Sequence, residues 1–177
     1  MIKQFKYFVQ DVRRLLGKHK IRIVHIWLSR VFWGIFLYRF ERSLFLSFGK
    51  FYGYARIVLI PLYNLLQAYS NMDIHYKADI MGGLIVLHPS VGVVVSGKSR
   101  IGKNLTLTGG NIIGARPGSK DGDIVIGANC TLGANAVIIG PVNIADNIQI
   151  GACACVVNNI LESNISVVGV PAKPILH

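Results

Sequence analysis

Carboxylates are scarce in this 177-residue chain: eight Asp and Glu stand against nineteen Lys and Arg, a formal net charge of +11. Residues 1–72 hold only Asp11 and Glu41 against twelve Lys and Arg, a net of +10, whereas residues 73–177 hold six acids against seven cations, a net of +1. The basic character therefore belongs to the first part alone, and the change of composition marks a boundary near residue 70. Cysteine is also rare. Cys130, Cys153 and Cys155 form an odd set without zinc-type CxxC spacing, so they read as small hydrophobes packed among small residues. No window offers some eighteen uncharged apolar residues, so no membrane-spanning helix is predicted. No positively charged n-region, apolar h-region and cleavage site opens the chain, so export is not expected and the cytoplasm is the default. What is plentiful is apolar surface: 52% of residues are hydrophobic and 15% charged. That balance predicts burial against a partner subunit or a membrane.

The strongest positive signal is a period of six. Ile126, Leu132, Ile138, Ile144, Ile150 and Val156 recur at that spacing, and Val95, Ile101, Leu107 and Ile113 keep it earlier. Four places after the later anchors stand Cys130, Ala136, Val142, Ile148 and Ala154. Neither a helix of period 3.6 nor an alternating strand of period 2 produces this pattern. One inward aliphatic per hexapeptide fits a mainly β solenoid of triangular cross-section, three hexapeptides to a coil, with aliphatics stacked coil upon coil. Ile113 to Ile126 is thirteen residues rather than twelve, and the polar segment Ala115–Asp123 between them, with its Pro-Gly and Asp-Gly turn signals, is expected to bulge from a corner.

These residues resemble the hexapeptide-repeat acyltransferase superfamily, in its serine O-acetyltransferase-like branch. The resemblance covers about residues 71–176 and rests on Asp73-Ile74-His75, the segment Gly-Leu-Ile-Val-Leu-His ending at His88, the paired repeats Ile126–Ala136, and the closing Val168-Gly-Val-Pro-Ala-Lys173. It implies a left-handed parallel β-helix over 71–177, preceded by a basic α-helical region over 1–70. It also implies acetyl-CoA as acyl donor and a homotrimer. By motif position, His88 is the general base and Asp73, fifteen residues earlier, orients it. A carboxylate on one imidazole nitrogen fixes the tautomer and leaves the other free to take the proton of an attacking hydroxyl. Fifteen residues is three short of a coil, which is read as bringing the two side chains together from adjacent coils. Gly114, Ala115, Ala134 and Ala152 are implied contacts of the pantetheine arm, with Lys173 near the coenzyme phosphates and a backbone N–H near Gly114 for the oxyanion. Corner packing explains each small residue equally well. His75 and Arg116 are weaker candidates for lining the acceptor pocket. His19 and His25 read as surface or interface residues, and His177 is the last residue. No metal is expected: a γ-class carbonic anhydrase would need three zinc histidines, and only His75 and His88 lie within the repeats.

Two departures bear on the acceptor. Serine acetyltransferases carry Asp immediately before the catalytic His, where this chain has Leu87. They also carry an Arg-His pair in the loop after the counterpart of Gly114, where this chain has only Arg116. An amino acid acceptor needs both its charges matched. The chain therefore looks closer to the colanic-acid-type, polysaccharide-modifying members, with a sugar hydroxyl of exopolysaccharide, capsule or O-antigen as acceptor. Serine or another small molecule is the alternative, and a non-catalytic membrane-associated β-helix scaffold is the alternative of another class.

The first seventy residues read as helices. Phe5, Phe8, Val9, Val12, Leu15 and Leu16 have helical spacing, 26–46 is aromatic-rich, and a third stretch over 54–67 contains Pro61, where a break is expected. Cations opposite Trp, Phe and Leu suit an anionic membrane surface, so peripheral association at the inner face of the cytoplasmic membrane is predicted, near a lipid-linked glycan. Capping of the β-helix is the other reading. Nucleic acid fits poorly, because no recognition motif is present.

Overall fold

The computed structural model describes residues 2–18 and 20–175, the side chains of Lys20 and Arg22 excepted. His19 and His177 lie outside the described residues.

From Met72 onward the chain winds as a left-handed parallel β-helix with three sheets. Face A stacks β1 (Met72–Ile74), β4 (Val93–Val95), β7 (Asn111–Ala115), β10 (Val137–Gly140) and β13 (Cys155–Val156). Face B stacks β2 (Asp79–Ile80), β5 (Ser99–Ile101), β8 (Ile124–Ile126) and β11 (Val142–Ile144). Face C stacks β3 (Ile85–Val86), β6 (Thr106–Leu107), β9 (Thr131–Leu132), β12 (Gln149–Ile150) and β14 (Ser166–Val168), and β15 (Lys173–Pro174) turns back antiparallel on β14. The six-residue anchors are the inward positions. Ile74, Val95, Ile113, Ile138 and Val156 pair rung by rung on face A, Ile80, Ile101, Ile126 and Ile144 on face B, and Val86, Leu107, Leu132, Ile150 and Val167 on face C. All are buried in one core, with Cys130, Ala136, Val142, Ile148 and Ala154 filling the spaces between them. Each such side chain withdrawn from water is worth about 1.5–3 kcal/mol.

The corners turn through left-handed residues. Asn104, Asn129, Asn147 and Asn164 have φ between 57° and 65°. Their side chains form a ladder, each amide donating to the next at 2.9–3.0 Å. Asn tolerates this conformation better than other side chains because it bonds locally.

Two of the described coils are longer than eighteen residues, and the last is shorter, with Ile150 pairing with Val167 seventeen residues on. Met72 pairs with Val93, twenty-one residues on, because the 3-10 turn Pro89–Val91 lengthens the first coil. Ile112 pairs with Val137, twenty-five residues on. Between Ile113 and Ile126 there is thus one repeat and a seven-residue excursion, a larger loop than the single extra residue suggested by counting in sixes. The loop is tied internally, with Ser119 N–H donating to the Arg116 carbonyl (3.1 Å) and Lys120 N–H to the Asp123 carboxylate (2.6 Å), and the Lys98 ammonium donates to the Ser119 carbonyl.

Three helices precede the solenoid: α1 (Ile2–Leu16), α2 (Arg30–Phe48) and α3 (Tyr52–Ser70). Residues 26–28 form a 3-10 turn, so the second helix starts at Arg30. The third runs through Pro61 instead of breaking there. Proline frees the carbonyl four residues back, and that residue, Ile57, is exposed to water. The helices dock on the solenoid: Val31, Ile35 and Tyr38 share its core with Met72, Ile74 and Ala78. On α1 the buried residues are polar, Gln4 and Asp11. The open end of a β-helix presents peptide groups that no further strand pairs, and buried peptide groups must find partners. Asp11 accepts from the N–H groups of Gly83 and Leu84, both at 2.7 Å. Arg39 donates to the carbonyls of Ile80 (2.6 Å) and Met81 (2.9 Å) and pairs with Asp11 at 2.8 Å. Arg14 donates to the carbonyls of Gly83 (2.6 Å) and Leu105 (3.0 Å). Part of the basic charge therefore caps the first coil.

Candidate active site

His88 ends the third side of the first coil. Its N–H donates to the Thr108 carbonyl (2.9 Å), and its imidazole is exposed, with no hydrogen-bond partner among the described residues. Extending the register Val86–Leu107–Leu132–Ile150–Val167 by two residues places His88, Gly109, Ala134, Ala152 and Gly169 in one column, at the corner between faces C and A. Gly109 has φ +139°, and a Cβ there would collide with the His88 carbonyl, so glycine is what lets the second coil run beneath the histidine.

Asp73 lies in β1 at the start of face A, opposite Val94. It and His88 thus belong to the same coil, near its beginning and its end, and not to adjacent coils. Fifteen residues is less than one eighteen-residue coil, and the three extra residues of the first coil, Pro89–Val91, come only after His88. Coil closure brings both to one corner: Asn71 donates through its side chain to the Ser90 carbonyl (2.9 Å), tying the entry of β1 to the turn after His88. Asp73 lines a cleft of about 150 Å³ there, with Asn71, Gly92 and Val94. Its carboxylate accepts from the Gln67 side chain at 3.3 Å, and no hydrogen bond links it to His88 among the described residues.

His75 differs from His88. Its Nδ1 accepts from the Lys77 N–H (3.1 Å), and its ring stacks on Tyr76 with centroids 4.5 Å apart. A Cβ at Gly97 would come within 2.5 Å of Nδ1. Desolvation first, then the cations Lys77 and Arg56, hold its pKa below the usual imidazole value. With Nδ1 accepting from a backbone N–H, Nε2 is the ring's free nitrogen, and the lowered pKa disfavours the charged form.

The remaining candidates fall into two groups. Ala134 and Ala152 stand in the His88 column, and Lys173 is exposed on β15, beside Val168. Gly114 and Ala115 end β7 at the opposite edge of face A, followed by exposed Arg116 in the loop. One chain alone does not bring the two groups together. Face A itself differs from the other two. Its outward row is Asp73, Val94, Ile112, Val137 and Cys155, with Val94 43% and Ile112 42% exposed. The outward rows of face B (Asp79, Arg100, Val125, Asn143) and face C (Ile85, Thr106, Thr131, Gln149, Ser166) are largely polar. The Asn ladder and Gly109 escaped the sequence reading. The Asn three residues after Ile126, Leu132 and Ile144 was the available signal.

No family model matches the chain. It is similar to the serine acetyltransferase of Helicobacter pylori strain J99, 31% identical over 71% of each chain. It spans about half the length of other curated serine acetyltransferases it matches, 57%, 52% and 47% of theirs. Among solved structures it is similar to the Neisseria gonorrhoeae serine acetyltransferase, with TM-score 0.79 and 27% identity, over 100% of this chain and 66% of that one. The Brucella abortus serine acetyltransferase in complex with coenzyme A shares the fold, with TM-score 0.74 and 22% identity, over 98% of this chain and 68% of that one.

Proposed function

Because the chain belongs to the serine O-acetyltransferase branch of the hexapeptide-repeat acyltransferases, we propose that it moves an acetyl group from acetyl-CoA to an acceptor hydroxyl, with His88 as base and Asp73 as its orienting carboxylate. The observation that carries this is the exposed imidazole of His88, without a hydrogen-bond partner among the described residues, at the head of a column of small residues. In the reaction the His88 imidazole takes the hydroxyl proton as the oxygen bonds to the thioester carbonyl carbon, and the coenzyme thiolate leaves and is reprotonated. General-base help of this kind is worth about 100- to 10,000-fold. Gly114, Ala115, Ala134, Ala152 and Lys173 are proposed for the coenzyme. Since the two groups sit at opposite edges of face A, the reading needs a groove between subunits. The apolar outward row of face A supports a homotrimer with that face covered.

L-serine is the acceptor the relatives point to, and it stands as the first reading. A sugar hydroxyl of an extracellular glycan is the second, favoured by Leu87. This apolar residue, 49% exposed, precedes His88 where an ammonium would want a carboxylate. Free CoA released from acetyl-CoA by wild type and His88→Ala, first with L-serine and then with glycan extract, decides both points. Acceptor-dependent release that falls at least 100-fold in His88→Ala is expected; release undiminished in that variant removes His88 from the mechanism.

Peripheral association with an anionic membrane, at its cytoplasmic face, is proposed for the helical region. Both its carboxylates, Asp11 and Glu41, are buried, while Lys3, Lys6, Arg13, Lys18, Arg30 and Lys50 are exposed. Beside them α3 and its flank expose Phe51, Tyr54, Val58, Leu62 and Leu65. No helix among the described residues is long and apolar enough to cross a membrane. Co-sedimentation with anionic but not zwitterionic vesicles is expected, lost in Val58→Glu/Leu62→Glu; equal recovery with neither vesicle refutes it.

A further inference from the structure

A second cleft, of about 210 Å³, opens at the other edge of face A, at the corner between faces A and B. Four stretches distant in sequence build it: Arg42 from α2, Lys77 and Asp79 from the first coil, Ser99 and Arg100 from β5, and Asp121 with Gly122 from the loop. It shares none of these with the corner that carries Asp73 and His88.

Three features set the cleft apart from an ordinary polar surface. Ser99 breaks an apolar row. Register along face B puts it in line with Ala78, Ile124 and Val142, yet it is a buried hydroxyl with no hydrogen-bond partner among the described residues. Arg42 is buried and held on three sides. It donates to the carbonyls of Lys77 (2.8 Å) and Tyr76 (3.4 Å) and pairs with Asp79 at 3.2 Å, while its Nε has no partner among the described residues. A buried donor left unbonded costs about 1–3 kcal/mol, and in a native protein it calls for an ion, a ligand or a water. Arg100 has no ion pair among the described residues, and its guanidinium lies 3.3 Å from where a Cβ of Gly122 would stand. Gly122, at φ +88°, leaves that space open.

Charge decides the class of ligand. Arg42 and Asp79 neutralise each other, which leaves Lys77 and Arg100 facing Asp121 within a chain of net charge +11. Guanidinium with ammonium and hydroxyl is a donor set for an oxyanion. We infer that this cleft binds an oxyanion group, carboxylate or phosphate, carried by a small molecule or a glycan. The inference is independent of the acetyl-transfer reading, because its test reads binding and not turnover.

Isothermal titration of the full chain with inorganic phosphate, and separately with D-glucuronate, tests it. The expected result is saturable binding of one equivalent per chain, weakened at least tenfold by Arg100→Gln and by Lys77→Gln, and unchanged by Arg13→Gln on the exposed surface of α1. Binding of phosphate alone identifies a phosphate source, and binding of glucuronate alone a carboxylate source; either supports the site. No saturable binding of either probe overturns it. So does equal weakening by Arg13→Gln and Arg100→Gln, which would mean that only the general basic charge was felt.

Discussion

The helical cap and the solenoid are stabilised in opposite ways. The solenoid repeats one simple contact, an aliphatic on an aliphatic, along three inward rows, so no single rung is unique. The cap meets the first coil through a few irreplaceable polar groups, with Asp11 (0% exposed) and Arg39 (3% exposed) at their centre. A periodic core spreads its stabilisation, whereas the end of a periodic structure concentrates its unsatisfied peptide groups in one place and needs dedicated side chains there.

Removing the centre of the cap is the severest test of that contrast. Asp11→Ala strands a buried guanidinium and two peptide N–H groups, an expected loss of about 3–5 kcal/mol. Both tryptophans, Trp27 and Trp33, are in the cap, so their fluorescence follows it while far-UV circular dichroism follows the coils as well. The two transitions should fall together in urea, because Val31, Ile35 and Tyr38 share the solenoid core. A fluorescence transition that separates from the dichroism would mean that the cap undocks alone. Leu132→Ala, in the middle of the face C row, is expected to cost about 3 kcal/mol through lost transfer energy and the cavity left behind. A cost under 1 kcal/mol would show the coils closing over the gap, contrary to a rigid stack.

The same contrast explains what was legible in the residues alone. Periodicity reveals an interior repeated many times, so Ile126 to Val156 disclosed the solenoid and its inward positions. It is blind to an end that occurs once. Nothing in the spacing of Asp11, Arg14 and Arg39 said that they would meet the peptide groups of Ile80–Leu84, and as isolated charges on amphipathic stretches they read as surface. The corner of Asp73 and His88 was half legible. The motif nominated both residues, but fifteen residues is less than one coil, so they stand on the same coil and not on adjacent ones. The cleft at Ser99 was not legible, because only the register shows that its row is otherwise apolar.

A smaller effect is expected at the corners. Asn129→Ala removes two ladder bonds and leaves alanine at φ 57°, an expected cost of about 1–2 kcal/mol. Asn129→Gly relieves the backbone while losing the same bonds, so it should recover part of the loss. Equal melting of the two variants would assign the whole cost to the ladder and none to the turn.

The smallest effect separates the two regions by pH. His75 stands where the first coil meets α2, and desolvation, then Lys77 and Arg56, lower its pKa in the folded chain. As pH falls through about 6.5, the ordinary value, the unfolded chain takes up a proton that the folded chain still refuses. Stability therefore declines from that point until the depressed folded pKa is passed, and it is fully present above it. His75→Gln should flatten this slope without changing the stability difference between wild type and Leu132→Ala, since Leu132 lies two coils away. Urea midpoints at pH 7.5, 6.5 and 5.5 read the result. An undiminished slope in His75→Gln would move the acid sensitivity to another group, and an altered Leu132→Ala difference would couple the cap to the middle of the stack after all.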